Sequence, residues 1–506
     1  MKQLGLFIFL LLNTAVYGRM PVINTMQASI TLVLPATPAG TPVYLSLYRN
    51  GICKEAPDTQ YTAQIKRNSC TFAIQLPADY CYFSIHQQTT SKGTPVYLFA
   101  DYLVQQNDSV TILLQPTAKE ENDTQIGFTY YAPLQQLHKY KVTFAGPGAV
   151  KYSCRYRADQ LLQQAGGSLL SVDTNGLFSR NQHADSALAT VHRYLLTCKS
   201  LIPTAIYTQI LTDIAAMLEC ERLYFYQISA ASWHSYTGFF NKALSSYQII
   251  RKKTDQYCSN NRQKTISPWY SHWQAMYYSQ VYNNRYNAGT YKPPLLSRTI
   301  QQIKQQYKEQ LADQIIAFYI PASSKIAQPA AIRQITQQMK NAYCLQLVNR
   351  FMQTSTGFTA RDFQLADTTG NLISLHRFRG KTVFIDFWFI GCSACSKYYK
   401  EILAPTEEKY RTDSNVVFIS INIDSRADWL KEINSGNYTS PWCVNLNTGE
   451  NGLTHPVIKD YDVTVYPRPY LISKTGKIIT SKSSDLRFKG ISGLTTFIEK
   501  AKATQQ

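Results

Sequence analysis

Four residues, Cys392-Ser393-Ala394-Cys395, restrict the folds open to this chain more than any other stretch of its sequence. Two cysteines separated by two residues can close a short disulfide across one helical turn. Their flanks narrow the choice. Val383-Phe384-Ile385-Asp386-Phe387-Trp388 reads as a buried strand, and Phe389-Ile390-Gly391 leads from it straight into the pair. Ser396 to Leu403 can continue as a helix, which puts Cys392 at a helix N-terminus. There the unpaired backbone N–H groups and the positive end of the dipole favour a thiolate. A thiol of pKa about 8.5 is roughly 3% ionised at pH 7, and one near 7 is about half ionised. A strand, a tight turn and a cysteine pair opening a helix together separate a redox pair from a chance spacing.

With 506 residues the chain is too long for one hydrophobic core, and about two to four domains are expected. Its net charge is +19. Lys and Arg are scattered without a dense run, which argues against a nucleic-acid partner. It suits a basic solvated surface with weak attraction to anionic membrane. Residues 1–18 read as a secretory signal: Lys2, an apolar block from Leu4 to Leu12, then Ala15-Val16-Tyr17-Gly18 for cleavage. The block is short of the roughly 20 residues of a spanning helix; an uncleaved anchor is the competing reading. Export permits disulfides. The eleven cysteines are too few for a disulfide scaffold, although one bridge among Cys53, Cys70 and Cys81 is expected. Cys154, Cys198, Cys220, Cys258 and Cys344 lack metal-type spacing and read as small buried hydrophobes.

Three regions follow the signal. Residues 19–150 carry frequent short strands and turn signals, which suggests a β-sandwich-like domain. Residues 151–353 shift to a helical period, notably over Leu188 to Cys198, Tyr207 to Ser229 and Thr299 to Tyr319. Trp233, Trp269 and Trp273 there read as helix-packing aromatics rather than a ligand groove. Thr354-Ser355-Thr356-Gly357 reads as a short linker. In residues 354–506 strands and helices alternate, as in an α/β domain.

This last region, about Phe358 to Lys502, resembles the thioredoxin superfamily, and within it the exported TlpA-like thiol–disulfide oxidoreductases. The likeness rests on ordered signals: Phe363-Gln364-Leu365-Ala366-Asp367 with Gly370-Asn371, Phe378-Arg379-Gly380-Lys381-Thr382-Val383, Asp386-Phe387-Trp388 before the cysteines, and Tyr461-Asp462-Val463-Thr464-Val465-Tyr466-Pro467 before Tyr470-Leu471-Ile472. The resemblance implies a thioredoxin-like α/β fold in a multidomain chain, with no cofactor and no metal. It makes Cys392 the nucleophile and Cys395 the resolving thiol, the two forming the redox-active disulfide. It makes Asp386 the buried acid, Pro467 the cis-proline, and Tyr466 the residue whose backbone meets substrate. Trp388 packs beside the active helix. The implied partners are disulfide-containing exported proteins and a membrane thiol electron donor, in the periplasm or cell envelope.

The chain departs from the commonest pattern at Gly391, where a Trp is usual, and at Ser393-Ala394, where Gly-Pro is usual. Pro469 is also unexpected so near a strand centre. Cys443 reads as a buried strand cysteine, with a third redox thiol as the alternative, and His455 as a surface or capping residue. Tyr102-Leu103-Val104 with Asn107 to Ile112 adds a weaker likeness to the accessory part of larger exported proteins of this group. The expected activity is disulfide reduction, with oxidation or isomerisation open. Two rival readings stand beside it. A thiol peroxidase would carry Thr where Phe389 stands. A cell-envelope binding or scaffold protein would draw on the bulk of the chain before Thr354.

Overall fold

A computed structural model describes residues 27–48, 59–76, 78, 80–88, 95–117, 140–166, 176–232, 247–258, 260–282, 296–322, 329–463 and 465–503. The proposed signal, Cys53, Trp233 and Thr464 lie outside the described residues.

Among the described residues before Ala149, eight strands form two four-stranded sheets. They are β1 (Gln27–Val33), β2 (Pro42–Tyr48), β3 (Thr59–Gln64), β4 (Ser69–Gln75), β5 (Tyr80–Gln88), β6 (Pro95–Gln105), β7 (Ser109–Pro116) and β8 (Tyr140–Ala145). One sheet runs β4-β1-β7-β8 and the other β3-β2-β5-β6. Strict alternation explains the half-buried strands: in β4, Cys70, Phe72 and Ile74 point inward and their neighbours outward. Cys70 and Cys81 are both buried, and they are not bridged to each other.

Helices follow at Ala149–Gly166, Gly176–Cys198 and Thr204–Ser232, then in shorter pieces up to Ala342–Thr354. The periodic run from Thr299 to Tyr319 is two helices, Leu296–Gln306 and Glu309–Ala322. The chain turns between them, and Glu309 takes a positive φ of 21°. Apolar spacing continues across that turn because both helices face the same core, so periodicity alone could not show the break. Trp269 and Trp273 are buried in that core.

One apolar cluster runs from Ala28 to Phe358 and holds residues of both the strands and the helices. Buried polar pairs join them: Lys151 to Asp108 at 2.5 Å, Tyr82 Oη donating to Asp213 at 2.7 Å, and Tyr102 Oη donating to Asp159 at 3.0 Å. The change near residue 150 is therefore one of element type within a shared core. Among the described residues no helix is long and apolar enough to cross a membrane.

The remaining strands, β9 (Gln364–Ala366), β10 (Leu372–Ser374), β11 (Thr382–Trp388), β12 (Val416–Asn422), β13 (Val444–Asn447), β14 (Arg468–Ile472) and β15 (Ile478–Thr480), form one sheet in the order β10-β9-β13-β12-β11-β14-β15. β11 is parallel to β12 and antiparallel to β14. All seven of its residues are buried, as an interior strand covered on both faces requires. Val383, Ile385 and Phe387 enter one apolar cluster, and Phe384 enters another with Tyr398, Leu403, Leu471 and Leu486. By the two-residue period Asp386 shares the face of Phe384, the face that the cysteine-bearing helix covers.

Candidate redox site

β11 ends at Trp388, and after Phe389-Ile390-Gly391 and the N-cap Cys392 the chain enters the helix Ser393–Tyr398. Gly391 makes the turn at φ +86°, a conformation that costs a residue with a Cβ about 1–2 kcal/mol. Two side chains from distant segments hold the turn: Asp424 accepts from the Ile390 N–H at 2.7 Å, and Tyr438 Oη accepts from the Gly391 N–H at 2.9 Å. Tyr438 also stacks on Trp388, with ring centroids 4.7 Å apart and planes 7° from parallel. Trp388 in turn donates its Nε1–H to Ser420 Oγ at 2.7 Å. Trp388 thus packs beside the cysteines as part of a small cluster with Cys392, Cys395, Trp429 and Ile433.

Cys392 is the N-cap of the helix, and its Sγ accepts from the Cys395 N–H at 3.1 Å. The pair is a disulfide with Cα atoms 5.2 Å apart. Cys392 is 6% exposed and Cys395 1%, so the first cysteine is the more exposed of the two. The helix continues through a π turn at Tyr399–Leu403 into Ala404–Tyr410, with Pro405 at the junction, where its missing N–H is tolerated.

Asp386 lies in β11 on the same side of the sheet. It is 5% exposed, and its Oδ1 has no hydrogen-bond partner. Burial pushes its carboxyl up to about 8. The Arg487 charge and the Phe387 N–H oppose that rise, and the Glu407 charge adds to it. Glu407 is buried too, accepts from Ser440 Oγ at 2.7 Å, and is itself raised by burial. A carboxyl of this kind can exchange a proton near neutrality.

The Tyr466–Pro467 bond is cis and leads into β14. Tyr466 meets Phe389 edge to face at 5.2 Å and packs against the cysteine cluster; its hydroxyl is buried without a partner. Pro469 faces Asp386 across β11, while β14 pairs with β15 only from Leu471. The proline therefore sits where the second side of β14 has no strand neighbour, which removes the conflict its position posed.

Cys443 stands just before β13, half-buried, with Ser440 Oγ 3.5 Å from its sulfur. Burial, and then the Glu407 charge, push its thiol well above the ordinary range, the opposite of what an attacking thiol needs. His455 caps the helix Pro456–Asp460, its Nδ1 accepting from the Val457 N–H at 3.2 Å. The sequence gives no local sign of Tyr438, Asp424, Glu407 or Arg487, because strand pairing and helix docking bring them in. Among the described residues no group of three or more His, Cys, Asp or Glu is placed to hold a metal ion.

A family model described as Redoxin matches residues 355–490. The chain is similar to the thiol–disulfide oxidoreductase ResA of Bacillus subtilis, at 29% identity over 129 residues, 25% of this chain and 65% of that protein. It is similar also to ResA of Bacillus thuringiensis, at 31% over 126 residues, 24% of this chain and 66% of that protein. The match thus spans just under two thirds of these curated relatives. Among solved structures, the thioredoxin domain of a thiol–disulfide oxidoreductase from Bacteroides vulgatus aligns at 28% identity and a TM-score of 0.25, covering 29% of this chain and 96% of that one. With its cysteine pair capping a helix after a buried strand, beside a cis-proline, the C-terminal domain resembles the TlpA-like thiol–disulfide oxidoreductases of the thioredoxin superfamily.

Proposed function

We propose that this chain is an exported thiol–disulfide oxidoreductase that reduces disulfides of exported proteins through Cys392 and Cys395. The observation that carries the reading is the cysteine pair at the helix N-terminus, with the buried Asp386 on the covered face below it, one carboxylate oxygen of which has no hydrogen-bond partner. In the reduced enzyme, the Cys392 thiolate attacks one sulfur of a substrate disulfide. A Cys392–substrate bond forms, the substrate S–S bond breaks, and the leaving thiolate takes a proton. Cys395 then gives its proton to the Asp386 carboxylate and attacks Cys392 Sγ. The second substrate thiolate leaves, and the Cys392–Cys395 disulfide remains, the oxidised state seen here.

A membrane thiol donor then supplies the two electrons that restore the dithiol. The backbone of Tyr466, before the cis bond to Pro467, is the edge offered to the substrate strand. The β-rich and helical regions, 19–150 and 151–353, act as a β-sandwich-like and a helical accessory unit to the domain at 354–506. The two sheets and their shared apolar cluster support that division of labour. Location in the periplasm or envelope rests on the signal at residues 1–18. For this couple about 30 mV equals roughly 1.4 kcal/mol, so the measured potential of the pair fixes the direction.

The test is a trapping experiment. Cys395→Ser should accumulate a mixed disulfide between Cys392 and exported proteins, released by reductant and absent from Cys392→Ser. Full insulin-disulfide reduction by Cys392→Ser, without any reductant-sensitive adduct in Cys395→Ser, would overturn the reading.

A further inference from the structure

Arg487 follows the last short helix, Ser483–Leu486, far in sequence from both cysteines, yet three parts of the site meet at its side chain. Its Nη1 donates to the Pro467 carbonyl at 3.4 Å. Its guanidinium lies over the ring of Tyr398, 5.6 Å from the centroid, and Tyr398 is the last residue of the cysteine-bearing helix. The Tyr398 hydroxyl donates in turn to the carbonyl of Leu486, the residue before Arg487, at 2.9 Å. The same guanidinium rests against the exposed ring of Phe488 at 5.3 Å. Asp386, on the helix-covered face of β11, offers a buried carboxylate oxygen without a hydrogen-bond partner.

We propose, resting on the oxidoreductase reading above, that Arg487 is a positioning residue for the Cys392–Cys395 reaction: it ties the Pro467 strand to the cysteine-bearing helix and holds its guanidinium beside Tyr398, on the covered side of β11 that carries Asp386. Several described groups act on Asp386. Arg487 comes from the C-terminal segment; Glu407 and Tyr398 come from the helix, and the Phe387 N–H from β11 itself. Arg487 is the cation in that set, opposed by Glu407. Its bond to the Pro467 carbonyl lies one residue beyond the Tyr466–Pro467 cis peptide. Arg487 acts through Asp386 and Pro467 and touches neither sulfur in these contacts.

The experiment uses the full chain. The rate of substrate release from a preformed Cys392–insulin mixed disulfide is measured from pH 5 to 10 for wild type, Arg487→Gln, Arg487→Lys, Asp386→Asn and the Asp386→Asn/Arg487→Gln double variant. Release requires Asp386 ionised, and loss of a nearby cation favours the neutral acid. Arg487→Gln should move the midpoint of the rate profile up by about one pH unit, a loss of up to about tenfold at pH 7. Arg487→Lys keeps the charge and should keep most of the midpoint, a comparison that also stands if the Gln variant does not fold. In the Asp386→Asn background Arg487→Gln should move no midpoint. An unmoved midpoint in Arg487→Gln, a Lys variant that moves it by a full unit, or a shift that persists without Asp386 would overturn the proposal. A wild-type chain that releases no substrate removes the oxidoreductase reading and this inference with it; an active wild type with an unmoved Arg487→Gln removes the inference alone.

Discussion

Asp386 is where charge, burial and chemistry conflict most sharply. Its carboxyl sits at about 8, raised by burial from an ordinary value of 3.8. Between those two values the folded chain holds a proton that the unfolded chain has lost, so folding stability falls as pH rises through that window. At pH above 8 the charged form must be buried, at a cost on the order of 5 kcal/mol as an upper bound. Asp386→Asn should therefore be more stable than wild type, by an amount that grows from pH 4 to pH 8 and then levels off. Chemical denaturation across that range checks it, and a stability difference that is flat with pH would contradict the assignment. Glu407 acts on the same group with the opposite sign to Arg487. Glu407→Gln should lower the midpoint of the release profile, by about half a unit to one unit, as measured in the same single-turnover assay.

At the scale of elements, the turn between β11 and its helix decides whether Cys392 can cap. Gly391 has a positive φ, and a Cβ added there would meet no atom within 4 Å. The cost of Gly391→Ala is then conformational, about 1–2 kcal/mol of stability, with no steric repacking behind it. Tyr438→Phe removes the acceptor for the Gly391 N–H while keeping the stack on Trp388. It should cost about 1 kcal/mol and slow attack by Cys392 more than release by Cys395. Thermal melts together with the two separated half-reactions check both variants.

The elements around that turn were legible in the sequence because their signals are local. An apolar run interrupted only by Asp386 marks Val383 to Trp388 of β11, and Cys392 at the foot of a helical pattern marks the cap. Tyr466-Pro467 before an apolar strand marks the cis turn once the family likeness is granted. What was not legible depends on long-range docking. Tyr438 lies 47 residues from the amide it accepts from, and Arg487 is 20 residues from the carbonyl it holds. The break at Tyr307–Lys308 was hidden for a related reason, since both helices face one core. Pro469 looked disruptive only because the sequence does not say which side of β14 stays unpaired.

At the scale of the whole molecule, the segment that reads as a linker is an anchored joint. The Gly357 N–H donates to the Ile478 carbonyl, and the Ile478 N–H donates to the Phe358 carbonyl, so the chain enters the C-terminal domain beside β15. Ser481 Oγ donates back to the Thr354 carbonyl at 3.2 Å. Phe358 is paired by its backbone to the C-terminal domain, yet its ring is buried in the N-terminal apolar cluster, with Arg333 over it at 6.0 Å. The ring is therefore a mechanical coupling between the accessory core and the redox domain. Phe358→Ala should cost about 3 kcal/mol by loss of buried area and the cavity it leaves. The cost should fall on the coupling: where wild type unfolds with the two cores linked, the variant should show two calorimetric transitions drawn further apart. The domain bearing Cys392 and Cys395 should keep the insulin-disulfide reduction proposed for it, since none of the contacts described for the site passes through Phe358. A single transition lowered as a whole, or loss of reductase activity with the cysteines intact, would show that the accessory core supports the site directly.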